Sequence, residues 1–254
     1  MAQRVVVTAG ASGIGLALAE RFLAEGAEVA VCDVDPQAVA RFAEAYPDCL
    51  AMVADVTSSA QMAAFLDAVE VRWRGVDVVC ANAGTGGPVG PIETLHYAEW
   101  QRCLSVNLDG AFLICRWAAR LMRAQGSGVI LITSSTAGLF GYPMRSPYAV
   151  AKWGLIGLTK TLAMELGPVG VRVNAICPGS VEGPRMDWVV ANEASQRGLS
   201  AEEVRATHVA NTSMKTWVEP SEIADTAVFL ASPAAAKISG QVLSVDGHTE
   251  GLFQ

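Results

Sequence analysis

The chain has 254 residues, 52% hydrophobic and 17% charged, which excludes a disordered chain and supplies a large core without disulfides. Eighteen Lys and Arg against 25 Asp and Glu leave a formal net charge of −7, so no nucleic-acid role is expected. No run of about 18 apolar residues is present to span a membrane, and the six cysteines, scattered in apolar segments with no CxxC, read as reduced core thiols of a cytoplasmic protein.

The start, MAQRVVVTAGASG, reads as a first strand entering a glycine turn rather than as a secretory signal. Strands are predicted at Arg4–Thr8, Glu28–Asp33, Cys49–Val53, Val76–Ala81, Gly128–Ser134, Val171–Ile176 and Val242–Val245. Each is almost continuously apolar, as strands covered on both faces must be. Amphipathic patterns between them predict helices over 14–25, 36–45, 58–73, 97–125, 148–167 and 220–231. Pro36 and Pro220 mark helix starts, and Gly26 and Gly167 mark stops. This alternation predicts an α/β fold: one doubly wound, Rossmann-type parallel sheet of about seven strands, in a single domain over 1–254. Residues 180–216 break the pattern. Two helical pieces, near 185–197 and 200–209, fall between a strand end and a helix, where a lid over a site would sit.

Thr8-Ala9-Gly10-Ala11-Ser12-Gly13-Ile14-Gly15 joins the first strand to the first helix. Glycines there allow a tight turn and close approach of a pyrophosphate to the helix N-terminus. Asp33 ends the second strand, 18 residues after Gly15. A carboxylate at that point accepts the adenosine ribose hydroxyls and repels a 2′-phosphate, while neither Ser12, Cys32 nor Val34 is basic; NAD is preferred over NADP.

Tyr148 and Lys152 stand four apart in a helical pattern and share one face. Ser135 follows the apolar strand VILITSS at its carboxyl end, where open α/β sheets bind ligands. Moving a hydride to a carbonyl carbon requires a proton at its oxygen, and the reverse reaction requires one removed. A tyrosine, with a reference pKa near 10, needs a neighbouring ammonium to serve at neutral pH. Ser135 would hold and polarise the substrate oxygen.

Together with Asp55-Val56, Asn82-Ala83-Gly84, Asn107 and Pro178-Gly179, these residues resemble the short-chain dehydrogenase/reductase family along nearly the whole chain. The resemblance implies that Tyr148 is the acid/base and that Lys152 also binds the nicotinamide ribose. It implies that Asn107 steadies a helix and a proton-relay water, and that Asp55 and Val56 meet the adenine. Asn82 and Gly84 would support sheet and cofactor, the stretch after Pro178-Gly179 would lie against the nicotinamide, and the protein would be a homotetramer built on the helices near 97–125 and 148–167. The glycine turn would bind cofactor through Gly10, Ser12, Gly13, Ile14 and Gly15. Taken alone, Asn107 reads sooner as an N-cap or an interior hydrogen-bonding residue.

Three positions depart from the family pattern. Ala9 replaces the first turn glycine, where a methyl group strains a positive φ. Gly183 replaces a threonine whose hydroxyl would meet the nicotinamide amide, which leaves backbone at Val181 for that contact. His248 replaces a glycine after Asp246-Gly247 and is expected at a surface or interface.

Residues 86–91, 136–147 and 180–216 are expected to wall the substrate pocket. Arg145 and Arg185 could clamp a carboxylate, sulfonate or phosphate. They could equally pair with Glu182 or Asp187 or cap a loop carbonyl. Leu139, Phe140, Tyr142, Met144, Met186 and Trp188 would suit a hydrophobic alcohol as well. The expected activity is NAD-dependent interconversion of a secondary alcohol and a ketone, with no metal. The rivals are an NADPH-dependent 3-oxoacyl-thioester reductase and a catalytically silent dinucleotide-binding regulator.

Overall fold

A computed structural model describes residues 2–252, the side chains of Arg185, Asn192, Glu193 and Gln196 excepted. Among the described residues the strands are β1 (Arg4–Thr8), β2 (Glu28–Asp33), β3 (Leu50–Val53), β4 (Val78–Ala81), β5 (Gly128–Thr133), β6 (Val171–Pro178) and β7 (Val242–Val245). They form one parallel sheet in the order β3-β2-β1-β4-β5-β6-β7. The order reverses between β1 and β4, which opens a crevice at the carboxyl ends of those strands. The expected doubly wound architecture is therefore what the chain adopts.

The helices are α1 (Gly13–Ala24), α2 (Pro36–Ala45), α3 (Ser59–Trp73), α4 (Tyr97–Leu104), α5 (Gly110–Gln125), α6 (Ser146–Leu166), α7 (Pro184–Arg197), α8 (Ala201–Val209) and α9 (Pro220–Ala231). The start of α2 follows from local chemistry: Asp35 accepts from the Gln37 amide at 2.9 Å, and Pro36 has no N–H to satisfy. Alternation along the strands sends side chains to two cores. Val6 joins Phe65, Ile114 and Leu155 on one face; Val5 and Val7 join Phe22, Phe42 and Leu230 on the other. Each such buried aliphatic or aromatic side chain contributes about 1.5–3 kcal/mol.

Besides shifts of one or two residues at element ends, two details depart from the sequence expectation. The long helix over 97–125 is broken by a π-turn at Ser105–Asp109. Gly167 does not stop α6 in a left-handed conformation; a short 3-10 turn intervenes, and Gly170, at φ 79°, makes the reversal. The carbonyl of Gly126 lies where a Cβ on Gly170 would be, at 2.4 Å, which also requires glycine there.

Ala9 does occupy the left-handed region, at φ 50°. Its carbonyl lies 1.8 Å from where a Cβ on Gly15 would stand, so Gly15 must be glycine for the turn to close. Non-glycine residues cost roughly 1–2 kcal/mol in this region, part of which returns through the larger unfolded-state entropy of glycine. Ala9→Gly is therefore expected to stabilise the fold by about 0.5–1 kcal/mol and raise Tm by about 2 °C. Thermal melting of the two proteins checks this.

Candidate active site

The glycine turn, Asp33, Asn82 and Ser135 lie at the carboxyl ends of β1, β2, β4 and β5. In the glycine turn, the Gly10 amide donates to the Cys32 carbonyl at 3.0 Å, and a Cβ on Gly10 would lie 2.7 Å from Val31. Ser12 begins α1 without capping it, and no acidic residue stands in the first turn. Its hydroxyl is instead 3.5 Å from Asp33 Oδ2. Gly13, at φ 50°, has open space where a Cβ would be. A helix start with neither a side-chain cap nor an acid presents its amides, Ile14 and Gly15 included, to an external anion.

Asp33 is 5% exposed. Its Oδ2 accepts from the Ala11 amide at 3.2 Å, and its Oδ1 from the Asp35 amide at 3.2 Å. The carboxylate is thereby fixed between β2 and the glycine turn, while Asp35, not Asp33, caps α2. Asp55 folds its side chain onto Thr57, accepting from its amide and its hydroxyl at 2.9 and 2.8 Å. Val56 is buried, and a Cβ on Gly110 of α5 would lie 2.8 Å from it.

Asn82 acts as a brace between three strand ends. Its Nδ2 donates to the Thr8 carbonyl at 3.2 Å, and its Oδ1 accepts from the Thr133 hydroxyl at 3.1 Å. Thr8 Oγ1 accepts from the amides of Asn82 and Ala83, both at 3.0 Å. Thr8 and Thr133 were not singled out in the sequence, although each terminates an apolar strand with a hydroxyl.

The π-turn carries Asn107. Its Nδ2 donates to the carbonyls of Cys103, at 2.8 Å, and Thr85, at 2.9 Å. The Asn107 side chain thus reaches back to a helix carbonyl four residues earlier from within a π-turn, a feature frequent at functional sites. Asn107 Oδ1 is buried with no hydrogen-bond partner. A Cβ on Gly84 would lie 2.9 Å from that oxygen and 3.3 Å from Lys152 Nζ. Two polar atoms thus converge on one glycine, so any larger residue would push them apart. Gly84→Ala is expected to lower kcat about 10- to 100-fold, which steady-state rates check.

Lys152 is 3% exposed. Its Nζ donates to the Thr133 carbonyl at 3.0 Å and lies 5.5 Å from the centre of the Tyr148 ring. Ser135 begins a 3-10 turn over 136–138, where its hydroxyl accepts from the Ala137 amide at 3.1 Å. Gly138 lets this turn settle on α6, since a Cβ there would lie 2.8 Å from the Lys152 carbonyl. That carbonyl also accepts from the Ser134 hydroxyl at 2.8 Å. Gly138 and Ser134 therefore position both ends of the site; the glycine three places after Ser135 was the available signal.

Arg145 pairs with neither Glu182 nor Asp187; it caps a loop carbonyl. Its Nη2 donates to Gly86 O at 2.9 Å, and its guanidinium carbon lies 5.5 Å from the ring centres of both Tyr142 and Tyr148. Arg145 Nε is buried without a partner. Glu182 and Asp187 instead share Arg205. The backbone of Arg185 belongs to α7, but its side chain lies outside those described. Trp188 is 71% exposed and Met144 47% exposed. Past Pro178, the Gly179 amide donates to Val245 O at 2.9 Å, and a Cβ on Gly179 would lie 2.9 Å from Asp246. Val181 forms a parallel bridge with Val218. His248 stands at φ 63° with Nδ1 2.6 Å from the Ser213 hydroxyl, far in sequence from the Tyr148 helix.

None of the six cysteines forms a disulfide, and burial pushes the thiols of Cys32, Cys80 and Cys115 up to about 12. Among the described residues, none of the helices is long and apolar enough to cross a membrane, and no group of three or more His, Cys, Asp or Glu side chains is arranged to hold a metal ion.

The family model described as enoyl-(acyl carrier protein) reductase matches residues 8–248. The cis-4-hydroxycyclohexanecarboxylate dehydrogenase of Sinomonas cyclohexanicum is 39% identical over 250 residues, 97% of this chain and 96% of that one. An actinorhodin polyketide ketoreductase solved with NADPH superposes with a TM-score of 0.92 at 32% identity, covering 97% of this chain and 96% of its own. An NAD+-bound xylitol dehydrogenase superposes at 0.89 and 29% identity, covering 96% and 98%. The chain belongs to the short-chain dehydrogenase/reductase family. It is an oxidoreductase acting on CH–OH groups, a member of the class that uses a nicotinamide dinucleotide.

Proposed function

We propose that this chain is an NAD-dependent dehydrogenase interconverting a secondary alcohol and a ketone, with Tyr148 as the acid/base. The observation that carries the reading is the buried Lys152 ammonium 5.5 Å from the Tyr148 ring. A cation so placed favours phenolate over phenol. Tyr148 then takes a proton from an alcohol oxygen or returns one to a carbonyl oxygen, and Ser135 donates a hydrogen bond to that oxygen. Asn107 Oδ1 and Lys152 Nζ flank Gly84 and hold the relay by which the proton leaves. The uncapped start of α1 fits a pyrophosphate, and Asp33 fits an adenosine ribose. The nicotinamide, when bound, supplies or accepts the hydride. Gly10, Ser12, Gly13, Ile14 and Gly15 hold the phosphates, Asp55 and Val56 the adenine, and Asn82 and Gly84 the turn beneath the cofactor. Pro178, Gly179 and Val181 face the nicotinamide, and Lys152 also bonds its ribose.

The substrate enters beside Tyr142 and Arg145, under residues 180–216 as a lid, with 1–254 acting as one catalytic domain. Arg145, with an unused buried Nε, holds a negatively charged substrate group, with Trp188 closing from α7. The name of the Sinomonas relative, a hydroxy-carboxylate dehydrogenase, is in keeping with that. Exposed Phe112 on α5 and Val150, Trp153 and Met164 on α6 suit burial in a homotetramer, and cysteines outside any disulfide suit a cytoplasmic protein.

The test is a panel of alcohols with NAD, read by NADH absorbance, with matched neutral and anionic members. Turnover of secondary alcohols, a preference for the anionic ones and its loss in Arg145→Ala are expected. The NADPH-bound ketoreductase favours a second reading, reduction of a 3-oxoacyl thioester with NADPH; preference for NADPH in the same assay would replace the first.

A further inference from the structure

The geometry points to Arg205 as a positioning residue: through Glu182 it holds the Val181 backbone, and through Asp187 and Trp217 it holds α7, over the nicotinamide end of the crevice. Its Nη2 pairs with Glu182, its Nη1 lies 3.2 Å from Asp187 Oδ1, and its guanidinium carbon lies 4.2 Å from the centre of the Trp217 ring. One side chain of α8 therefore ties together three segments: the residues leaving β6, the first turn of α7 and the return to α9. A planar fork that binds two carboxylates while lying on an indole face is a job arginine does and lysine does not.

Besides Arg205, the segment between Pro178 and α7 is tied by the Gly179 amide to Val245 O at 2.9 Å and by the Ser180 hydroxyl to His208 O at 3.3 Å. The Val181–Val218 bridge supplies two backbone bonds, Glu182 N to Val218 O at 2.9 Å and Val218 N to Ser180 O at 2.8 Å. Glu182 then meets Gly183, at φ 137° with open space where a Cβ would be, a point about which α7 can swing. The helices beyond have a small core of their own, Val190, Ala194 and Val204 with Leu199 and Trp217. They thus form a unit that can open as a whole while the sheet stays folded. Since Gly183 brings no hydroxyl to the amide of a nicotinamide, that contact falls to backbone, and Arg205 governs where that backbone lies. This inference rests on the dinucleotide reading of the crevice.

The experiment compares Arg205→Met, Arg205→Lys, Glu182→Gln and Asp187→Asn in the full chain. KM for NAD and kcat are measured with the best alcohol, and amide hydrogen exchange over 184–209 is measured without cofactor. Arg205→Met is expected to raise KM for NAD about tenfold with kcat within about twofold, and to speed exchange in that stretch about tenfold. Glu182→Gln is expected to follow at about threefold, and Asp187→Asn, at a 63% exposed side chain, to have a smaller effect of about twofold. Arg205→Lys, which keeps a charge but loses the fork over Trp217, should fall between and carries the test if Arg205→Met does not fold. Wild-type KM and exchange in both Arg205 variants would overturn the assignment, as would a fall in kcat with KM unchanged. Because exchange needs no cofactor, a wild-type chain that turns over no NAD defeats the dehydrogenase reading separately.

Discussion

Tyr148→Phe is expected to lower kcat about 10³-fold while leaving the dissociation constant for NAD within about threefold. The substitution removes one hydroxyl and keeps the ring. The ring is what packs: it meets Tyr142 edge-on with centroids 6.5 Å apart, and Arg145 and Lys152 each lie 5.5 Å from its centre. Fold and crevice should therefore survive. What goes is the group that exchanges a proton with the substrate oxygen, and neither cation beside the ring replaces it. Lys152 Nζ is engaged by the Thr133 carbonyl and Arg145 Nη2 by the Gly86 carbonyl. Steady-state rates and a fluorescence titration of NAD check the two halves. A loss of less than tenfold in kcat would remove Tyr148 from the acid/base role and pass it to another group in the crevice.

The parts of this site that follow from local rules were legible in the sequence. β1, β2, β7, α2 and α9 begin and end where apolar runs, Asp35-Pro36 and Pro220 place them, because capping and strand burial act within a few residues. Tyr148 and Lys152 share a helix face by spacing alone. The π-turn was not legible: the apolar period of 97–125 runs through it, and the Asn107 it carries bonds to Thr85, 22 residues earlier. Arg145 shows the same limit. Glu182 and Asp187 were candidate partners by charge, but α8 folds back to bring Arg205 to both, 23 and 18 residues on. Arg145 is left to a carbonyl 59 residues away. Gly138 and Gly84 illustrate a third case. Their need to be glycine comes from what packs on them, Lys152 O in one case and Asn107 Oδ1 with Lys152 Nζ in the other, and only the folded chain specifies such neighbours.

The wild-type chain is expected to use NAD over NADP by about 100-fold or more in kcat/KM, and Asp33→Asn to reduce that ratio at least tenfold. The carboxylate is held in place by contacts with the glycine turn and the Asp35 amide, 5% exposed, with Val34 beside it and no arginine or lysine adjacent in sequence. A 2′-phosphate arriving there brings like charge into a poorly solvated position, which costs several kcal/mol where charges meet directly. Asparagine keeps the shape and removes the charge, so KM for NADP should fall. KM for NAD should rise, because an amide presents one acceptor oxygen to the ribose instead of two. One of the amides of Ala11 and Asp35 then loses its acceptor, a loss of about 1 kcal/mol that thermal melting should register. If wild type and variant discriminate equally, the source of the preference lies elsewhere than this charge, and the fixed position of Asp33 serves only to hold the glycine turn against β2.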